Sequence, residues 1–337
     1  MISIILPIRN ETGFIKKSLD AILAQDYPHD QIEILIADGM STDKTREIIR
    51  AYQQNHAQIH IIDNPGKIVP TGMNAALRQA KGEIIIRVDG HTIIEPDYVA
   101  QCVASLQNSD AGNVGGRMDA TGNSPFGEVV AIATSTPFGV GGARFHYSEK
   151  EEWVDTVYMG AWRRKIFEKI GLFDEELIRD QDDEFNYRLR EAGGKILLNP
   201  KIKSKYTVRS SPKSLWKQYF QYGYWKVRVL QKHPKQMSLR QFIPPMFVFS
   251  LLISILLALA TSWGKWLLFL IAFSYLIANF AAAIVTASKK GWKHLPLLPV
   301  TYSIIHLSYG FGFLAGLAKF WNRWEDKKGQ VPGYNIK

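Results

Sequence analysis

The sequence predicts an α/β domain followed by a membrane region of apolar helices. Two patterns support this prediction: short apolar runs alternate with helix-like stretches in the first part of the chain, and long uncharged apolar segments dominate after Arg240. Hydrophobic residues make up 46% of the 337 residues and charged residues 21%, which excludes a disordered or collagen-like chain. Cys102 is the only cysteine, which excludes an intrachain disulfide and a cysteine-based zinc cluster.

Four apolar runs predict buried strands, at residues 2–6, 32–37, 59–62 and 84–88. Helix-like stretches lie between them, at residues 12–25, 44–56 and 71–80. Strands that alternate with helices imply βαβ units and a mostly parallel sheet with both faces covered. Ligands bind such sheets at the carboxyl ends of the strands. Asn10, Asp38 and Asp89 fall at three of these ends.

Three apolar segments follow Arg240, at residues 247–261, 266–287 and 295–318. A membrane span needs about 20 apolar residues. The second segment satisfies this length, and the first does so when residues 243–246 are included. The third is richer in Gly, Ser, Tyr and Pro, and is compatible with a span or with a re-entrant or interfacial element.

Positive charge flanks the first two segments and predicts their orientation. The flanking cations are Lys232, Lys235 and Arg240 before the first, and Lys289, Lys290 and Lys293 after the second. The positive-inside rule places both clusters in the cytoplasm, joined by an outer hairpin. A third span would export a tail that carries Lys319, Arg323, Lys327 and Lys328, against that rule. The charge pattern therefore predicts two or three spans.

Lysine and arginine exceed aspartate and glutamate by 41 to 31, a formal charge of +10 that favours a polyanionic partner. Residues 214–232 combine an aromatic face with Lys217, Lys226, Arg228 and Lys232 elsewhere around the helix. Such a helix next to a membrane span is typical of an interfacial helix. RNA binding is the competing interpretation, but the neighbouring spans favour a lipid bilayer as partner and no nucleic acid.

Three polar motifs are candidates for chemistry. Asp89-Gly90-His91 pairs a carboxylate with an imidazole, a ligand set that suits Mn²⁺, or Mg²⁺ if His91 is not a ligand; a simple turn is the alternative. Asp38 opens a second motif in which it can hydrogen-bond a ribose or base, while Thr42 or Asp43 caps the next helix.

The third motif places four acids within residues 180–184, just before a predicted helix. Negative charge at a helix N-terminus is stabilising and explains part of this arrangement. Since four neighbouring acids also repel one another, we expect one of them to be a general base with a raised pKa.

Together and in this order, the motifs resemble those of inverting family 2 glycosyltransferases with the GT-A fold. The resemblance is greatest to membrane-anchored glucosyltransferases of succinoglycan-type exopolysaccharide biosynthesis, and it covers residues 1–235. It implies a Rossmann-like GT-A catalytic domain over residues 1–212. Amphipathic interfacial helices over 213–240, a membrane domain of two or three transmembrane helices over 241–320 and a polar tail over 321–337 complete the predicted organisation.

The resemblance also implies roles for individual residues. Residues expected to bind the nucleotide sugar are Pro7, Asn10, Glu11, Asp38, Lys67 and Asp89. Asp89 and His91 would hold a divalent cation, Mn²⁺ or Mg²⁺, with His91 in place of the family's second aspartate. Lys67 and Arg87 are candidates for neutralising the leaving diphosphate.

The motif that supplies the base in the family matches Gln181-Asp182, with glutamine in place of glutamate. Asp182 is therefore the expected base, and Asp183 and Glu184 are its nearest rivals. Trp162 falls in an acceptor-side segment. Gln221 and Trp225 match the Gln-x-x-x-Trp pattern of processive synthases, but Tyr224 replaces its arginine, which argues against long-chain processivity.

The resemblance implies transfer of a sugar, expected to be glucose, from a UDP-sugar to a polyprenyl-diphosphate-linked saccharide. The enzyme would be a multi-pass protein of the inner (plasma) membrane with a cytoplasmic catalytic domain. Two alternatives stay open at this point: a processive polysaccharide synthase of the same fold, and a non-enzymatic basic membrane protein that binds nucleotides.

Overall fold

The computed structural model describes residues 1–236, 238–326 and 329–334. Its strands are β1 (Ile2–Ile8), β2 (Ile32–Asp38), β3 (Ile59–Asp63), β4 (Ile84–Arg87), β5 (Thr92–Ile94), β6 (Ala111–Thr121), β7 (Glu152–Val154), β8 (Tyr158–Arg163) and β9 (Lys195–Thr207). Its helices are α1 (Ile15–Leu23), α2 (Thr45–Gln53), α3 (Val69–Gln79), α4 (Tyr98–Gln107), α5 (Pro125–Thr134), α6 (Pro137–Val140), α7 (Lys165–Ile170), α8 (Gln181–Glu191), α9 (Pro212–Lys232), α10 (Leu239–Ala260), α11 (Ser262–Lys290) and α12 (Leu298–Lys319).

The strands form one mixed sheet in the order β3-β2-β1-β4-β8-β6-β9-β5, with β7 paired to β9. The first four strands are parallel, as the alternation of strands and helices predicts. From β8 onward the described pairings are antiparallel. The expectation of a mostly parallel sheet is therefore wrong for this half, because its neighbouring strands, such as β4 and β8 or β5 and β9, are not joined by a single βαβ crossover.

Helices cover both faces of the parallel half, which explains why β1 and β2 are buried at every position. Ile4 and Leu6 pack into one apolar cluster, which includes residues of α1 and α4. Ile5, between them in sequence, packs into a second cluster that includes residues of α3. Successive strand residues point to opposite faces, so one isoleucine-rich strand contributes to both layers.

The chain divides into two compact units. The first contains residues 1–119, 144–207 and 329–334, and the second contains residues 120–143 and 208–326. Residues 120–143 and 208–212, which the prediction assigns to the catalytic domain, belong to the helical unit, and residues 329–334 of the predicted polar tail belong to the sheet unit. Lys327, Lys328 and residues 335–337 of that tail lie outside the described residues.

In the second unit, three helices are long and apolar enough to cross a membrane: α10, α11 and α12. They begin and end within a few residues of the predicted segments, except that α10 begins before the predicted first segment. Thr261 alone separates α10 from α11, so these two form a tight helical hairpin.

The long helix α9 packs closely along α12. A Cβ atom added to Gly223 would lie 2.0 Å from the Tyr309 carbonyl oxygen, and one added to Gly312 would lie 2.0 Å from that of Phe220. Glycine is therefore required at both positions for the two backbones to approach this closely.

Three of the four cations that the sequence places around the predicted interfacial helix are buried in α9: Lys226, Arg228 and Lys232. The Arg228 guanidinium donates to the Arg323 carbonyl oxygen at 3.3 Å, and the Gln231 amide donates to that of Phe320 at 2.7 Å. These bonds satisfy carbonyl groups at the C-terminal end of α12, where a cation is also favoured by the helix dipole.

Candidate active site

The loops that follow β1 and β2 are joined by hydrogen bonds at the carboxyl edge of the sheet. The Asn10 N–H donates to Ser41 Oγ at 2.8 Å, and the Thr42 N–H donates back to Asn10 Oδ1 at 2.8 Å. The Glu11 N–H donates to Thr45 Oγ1 at 2.8 Å. Asn10 and Glu11 are therefore held in place by the first residues of the next βα connection.

Backbone strain is concentrated at the same edge. Asn10, Met40 and Lys67, which follow β1, β2 and β3, have φ angles of 56°, 55° and 59°. Asparagine tolerates this left-handed conformation, but Met40 and Lys67 are residues that rarely adopt it, at a cost of about 1–3 kcal/mol each. Such strain accumulates where a chain is shaped for binding rather than for stability.

Asp38 ends β2 and is fully buried. Its carboxylate accepts a hydrogen bond from the Ser41 N–H at 3.1 Å and one from the Ser41 hydroxyl. Arg46 lies 3.4 Å from the same carboxylate and also pairs with the exposed Asp63 at 2.6 Å. Asp38 therefore fixes the loop that Asn10 contacts. Asp43, one of the two predicted cap residues, accepts from the Thr45 N–H at 3.0 Å.

Arg87 joins two carboxylates that are distant in sequence. Its Nε donates to Asp89 Oδ1 at 2.8 Å, and its Nη1 donates to Asp182 Oδ1. The guanidinium is almost completely buried, whereas the Asp182 side chain is 36% exposed. Asp182 lies in the first turn of α8, so this helix and the end of β4 meet at one cation.

The pKa values of the two carboxyls are shifted in opposite directions. Burial raises the pKa of Asp182, and Asp89 raises it further, so that Arg87 offsets only part of the effect. Burial also opposes ionisation of Asp89, but Arg87 and His91 outweigh it and lower the pKa of Asp89. Burial likewise opposes the charge on Arg87, but Asp182 and Asp89 raise the pKa of its guanidinium. Asp89 is thus a fixed anion, while Asp182 has the raised pKa expected of a proton acceptor.

His91 and Tyr158 complete the surroundings of Asp89. His91 Nδ1 lies 3.3 Å from Glu11 Oε1, and the His91 ring meets the Tyr206 ring edge-on with centroids 5.4 Å apart. The Tyr158 hydroxyl lies 2.7 Å from Thr92 Oγ1 and 3.4 Å from Asp89 Oδ2. This arrangement brings together Glu11 from the β1 loop, Asp89 and His91 from the β4 loop, and two tyrosines from antiparallel strands.

The four acids of residues 180–184 have different environments. Glu184 is 1% exposed and forms an ion pair with Arg188 one helical turn later, with Oε1 2.6 Å from Nε. Its role is therefore structural. Asp182 is the member that points to Arg87 and has a raised pKa. The Gln181 amide donates to Asp182 Oδ1 at 3.4 Å.

The other predicted site residues lie elsewhere. Trp162 is 2% exposed and packs against Phe167, Phe173 and Phe185, so its position does not support contact with an acceptor. Pro7 is buried within β1, and Lys67 is exposed in the loop after β3. Gln221 and Trp225 are on α9, in the second unit, where both are partly buried.

Sequence reasoning missed Tyr158 and the pairing made by Arg87. Tyr158 lies on β8, which pairs antiparallel with β4, and no sequence motif indicates that pairing. Arg87 was recognised as a candidate cation for the diphosphate, but its two carboxylate partners depend on the position of α8. The signal available in the sequence was an arginine at the end of an apolar strand, two residues before an aspartate.

Comparison with known proteins identifies the family. Residues 3–171 match the family model described as glycosyl transferase family 2. The chain is 32% identical over 326 residues to a dolichyl N-acetyl-α-D-glucosaminyl phosphate 3-β-D-2,3-diacetamido-2,3-dideoxy-β-D-glucuronosyltransferase of Methanococcus voltae, covering 94% of this chain and 97% of that one. It is 28% identical over 322 residues to the succinoglycan biosynthesis protein ExoA of Rhizobium meliloti (strain 1021), covering 95% and 96%.

Among solved structures, the fold is similar to that of the mannosyltransferase PcManGT from Pyrobaculum calidifontis, determined in complex with GDP-Man and Mn²⁺. The TM-score is 0.60 at 20% identity, over 94% of this chain and 87% of that one. This confirms the predicted GT-A fold, with apolar helices at its C-terminal end. The match to curated glycosyltransferases also decides against the non-enzymatic alternative. The chain therefore belongs to glycosyl transferase family 2 and is a membrane-associated glycosyltransferase of glycan biosynthesis.

Proposed function

We propose that the protein transfers a sugar with inversion from a UDP-sugar, with UDP-glucose as the first candidate, to a lipid-linked saccharide acceptor. The observation that carries this proposal is the meeting of Asp89 and Asp182 at one guanidinium. Asp89 would bind the donor diphosphate through a shared cation, and Asp182 has the raised pKa expected of a base. A donor and an acceptor hydroxyl that bind beside these two carboxyls would be close enough to react.

The residues around Asp89 fit a divalent cation that is shared with the donor. Within the described ranges there is no group of three or more His, Cys, Asp or Glu side chains able to hold a metal by themselves. Asp89 and His91 offer one carboxylate and one imidazole, a set that suits Mn²⁺. We infer that the diphosphate oxygens supply the other ligands. When bound, the cation would neutralise charge that develops on the leaving diphosphate.

On the donor side, Asn10, Glu11 and the loop held by Asp38 would position the nucleotide. The hydrogen bonds between the β1 and β2 loops keep these groups in place before the donor arrives, so little ordering cost remains at binding. Lys67 is exposed on the same edge and is available to a phosphate or ribose.

On the acceptor side, Asp182 would take the proton from the attacking hydroxyl. Arg87 orients its carboxylate and keeps it near Asp89 without lowering its pKa below the ordinary value. The hydroxyl oxygen would then attack the anomeric carbon opposite the leaving diphosphate, and a single displacement inverts the configuration.

The lipid-linked acceptor is supported by the relatives and by the apolar helices. The Methanococcus relative is named for a dolichyl-phosphate-linked acceptor, and ExoA for succinoglycan biosynthesis. Helices able to insert into a bilayer would hold the enzyme where a polyprenyl-diphosphate-linked saccharide is found. We place the catalytic unit at the cytoplasmic face of the inner (plasma) membrane, where nucleotide sugars are made.

The first test is release of nucleoside diphosphate by the detergent-solubilised protein with lipid-linked saccharide acceptors. The donor panel would be UDP-glucose, UDP-galactose, UDP-N-acetylglucosamine, UDP-glucuronic acid and GDP-mannose. We expect turnover of one UDP-sugar with Mn²⁺ or Mg²⁺ and its loss with EDTA, because Asp89 and His91 do not suffice to neutralise a diphosphate. Turnover of GDP-mannose alone would refute the proposed donor, and long polymer products would favour the processive alternative.

A second prediction concerns Asp38. Replacement Asp38→Asn should weaken UDP binding by about 10- to 100-fold, since a hydrogen bond to a charged group contributes about 1.5–3 kcal/mol and 1.4 kcal/mol is a factor of ten. Isothermal titration with UDP measures this, with thermal unfolding to verify the fold. Asp63→Asn is the matched control, because Asp63 shares Arg46 but is 62% exposed. Equal effects of the two changes would exclude a special role for Asp38.

A further inference from the structure

We propose that only α10 and α11 cross the membrane, and that α12 lies along the membrane face on the side of the catalytic unit, paired with α9. Length and composition alone make all three helices candidates for spanning. Three sets of contacts lead to two crossings instead of three. The inference concerns the binding of this chain to a lipid bilayer, and it does not depend on the donor or acceptor.

The first set of contacts is made by the tail that follows α12. The Leu172 N–H donates to the Pro332 carbonyl oxygen at 3.0 Å, and the Glu175 N–H donates to that of Gln330 at 2.9 Å. The Tyr334 hydroxyl accepts from Arg164 Nε at 2.9 Å. The tail is thus built into the same folded unit as the sheet that precedes the helices.

A folded unit made from both ends of a chain lies on one side of a bilayer. The segment between those ends must therefore cross an even number of times. Three crossings would place residues 329–334 on the far side from Leu172 and Glu175, which contradicts the hydrogen bonds. The charge pattern is compatible with two or three spans, whereas the hydrogen bonds of the tail are compatible only with two.

The second set of contacts shows the direction of α12 relative to the α10–α11 hairpin. The Asn279 amide donates to the Pro299 carbonyl oxygen at 3.0 Å, and the Tyr275 hydroxyl lies 3.1 Å from His306 Nδ1. Asn279 and Tyr275 are one turn apart on α11. Asn279 also donates to Ser303 Oγ at 2.9 Å, so the first turns of α12 run antiparallel to α11 and at an angle to it.

The second half of α12 meets the first turns of α10. A Cβ atom added to Gly310 would lie 2.6 Å from the Pro244 carbonyl oxygen, and the Phe313 ring centroid is 5.9 Å from that of Phe242. From Pro299 to Phe313, α12 advances by about 21 Å at 1.5 Å per residue. The first and last of these contacts, at Asn279 and Phe242, are 18 and 19 residues from Thr261, although Tyr302 between them bonds Thr286, which is farther from the turn. Hence α12 runs across the hairpin instead of along it towards the turn at Thr261.

The third set of contacts joins the second half of α12, from Tyr309 onward, to α9. Tyr224 O lies near Gly316, and Arg228 stacks on the Phe320 ring at 5.8 Å, so the two helices run parallel. If α12 crossed the bilayer, α9 would have to enter with it. That would carry the α9 cations into hydrocarbon at about 2.5–3.5 kcal/mol for each charge near the centre.

The hairpin itself fits two crossings. In α10 and α11, only 17% and 11% of the most apolar window is buried inside the structure, against 44% in α12. Trp263 and Trp266 are exposed beside the turn, and Lys265 lies between them. Tryptophan and lysine prefer the interface, which places the turn at the opposite membrane surface.

The test is accessibility of single cysteines to a membrane-impermeant maleimide in intact cells that express the full chain. The background is Cys102→Ser. Reporters are Ser262→Cys in the turn, Gly333→Cys in the tail and Glu168→Cys on α7. An added Cβ at Gly333 meets no atom within 4 Å, and Ser262 and Glu168 are exposed, so each change is compatible with folding. Lys265→Cys is the second turn reporter if Ser262→Cys is not produced.

We expect Ser262→Cys to be labelled in intact cells, and Gly333→Cys and Glu168→Cys to be labelled only after the membrane is permeabilised. Labelling of the tail and α7 reporters under different conditions would establish an odd number of crossings and overturn the proposal. Labelling of all three under the same condition would show that the hairpin does not cross. Because no reporter reads catalysis, failure of the proposed reaction leaves this result unaffected.

Discussion

Asp182→Asn is expected to lower the turnover number by about 10²–10⁴-fold, the usual contribution of a general base. The change keeps the size of the side chain and removes its negative charge and its ability to accept a proton. Because the pKa of Asp182 is raised in the folded protein, its negative charge does not stabilise the fold, and loss of that charge should leave the folded state nearly as stable. Single-turnover kinetics with a saturating UDP-sugar measure the chemical step directly.

The neighbouring acid provides the control for this experiment. Asp183→Asn removes the same charge one residue away, outside the pairing with Arg87, and should retain most of the activity. If Asp183→Asn abolished turnover and Asp182→Asn did not, the assignment of the base would be wrong.

The dependence of turnover on pH gives an independent measurement of the same group. A base acts only when deprotonated, so turnover must fall as the pH decreases through its pKa. Since the pKa of Asp182 is raised above the ordinary value of 3.8, this loss should occur at a higher pH than for an unperturbed aspartate. The acidic limb should disappear from the residual activity of Asp182→Asn.

Arg87→Met should reduce both stability and activity. The change leaves Asp89 and Asp182 close together without the cation that separates them. Removal of one partner from a buried ion pair costs about 3–5 kcal/mol, and the exposure of Asp182 places the expected loss near the lower end. Urea denaturation monitors stability, and diphosphate release monitors activity.

The pKa shift of Asp89 determines how the stability lost in Arg87→Met should depend on pH. Arg87 and His91 lower its pKa in the folded state, so its contribution to stability is present above the unfolded value and is lost as the pH falls. The stability difference between the wild type and Arg87→Met should therefore be greatest above about pH 4 and should shrink below it.

Two further variants separate this electrostatic effect from loss of packing. The double variant Arg87→Met with Asp182→Asn should recover part of the lost stability, because only one carboxylate remains charged. Arg117→Met is the matched control: Arg117 also joins two carboxylates, Asp119 at 2.8 Å and Glu149 at 3.1 Å, but on the surface. It should cost less than about 1 kcal/mol and leave activity unchanged. No recovery in the double variant would contradict the proposed role of Arg87.

Local sequence patterns predicted much of this fold and part of its site. Isoleucine-rich runs predicted the first four strands, and the lengths of the apolar segments predicted α10, α11 and α12, since both patterns depend on residues close in sequence. The polar residues at the strand ends were identified for the same reason. The antiparallel half of the sheet was not predicted, because β8 and β9 owe their positions to partners far away in the chain.

The sequence by itself therefore determined the α/β domain, the apolar helices and the identity of the acids. The tertiary structure alone decided which of the acids meet: Arg87 selects Asp182 from a run of four because α8 packs where its first turn reaches the end of β4. Tertiary packing also buries Trp162 and sets the direction of α12 across the α10–α11 hairpin. Each of these outcomes depends on contacts between distant segments, whose free energy is set by packing and burial in three dimensions and leaves no periodic pattern in the sequence.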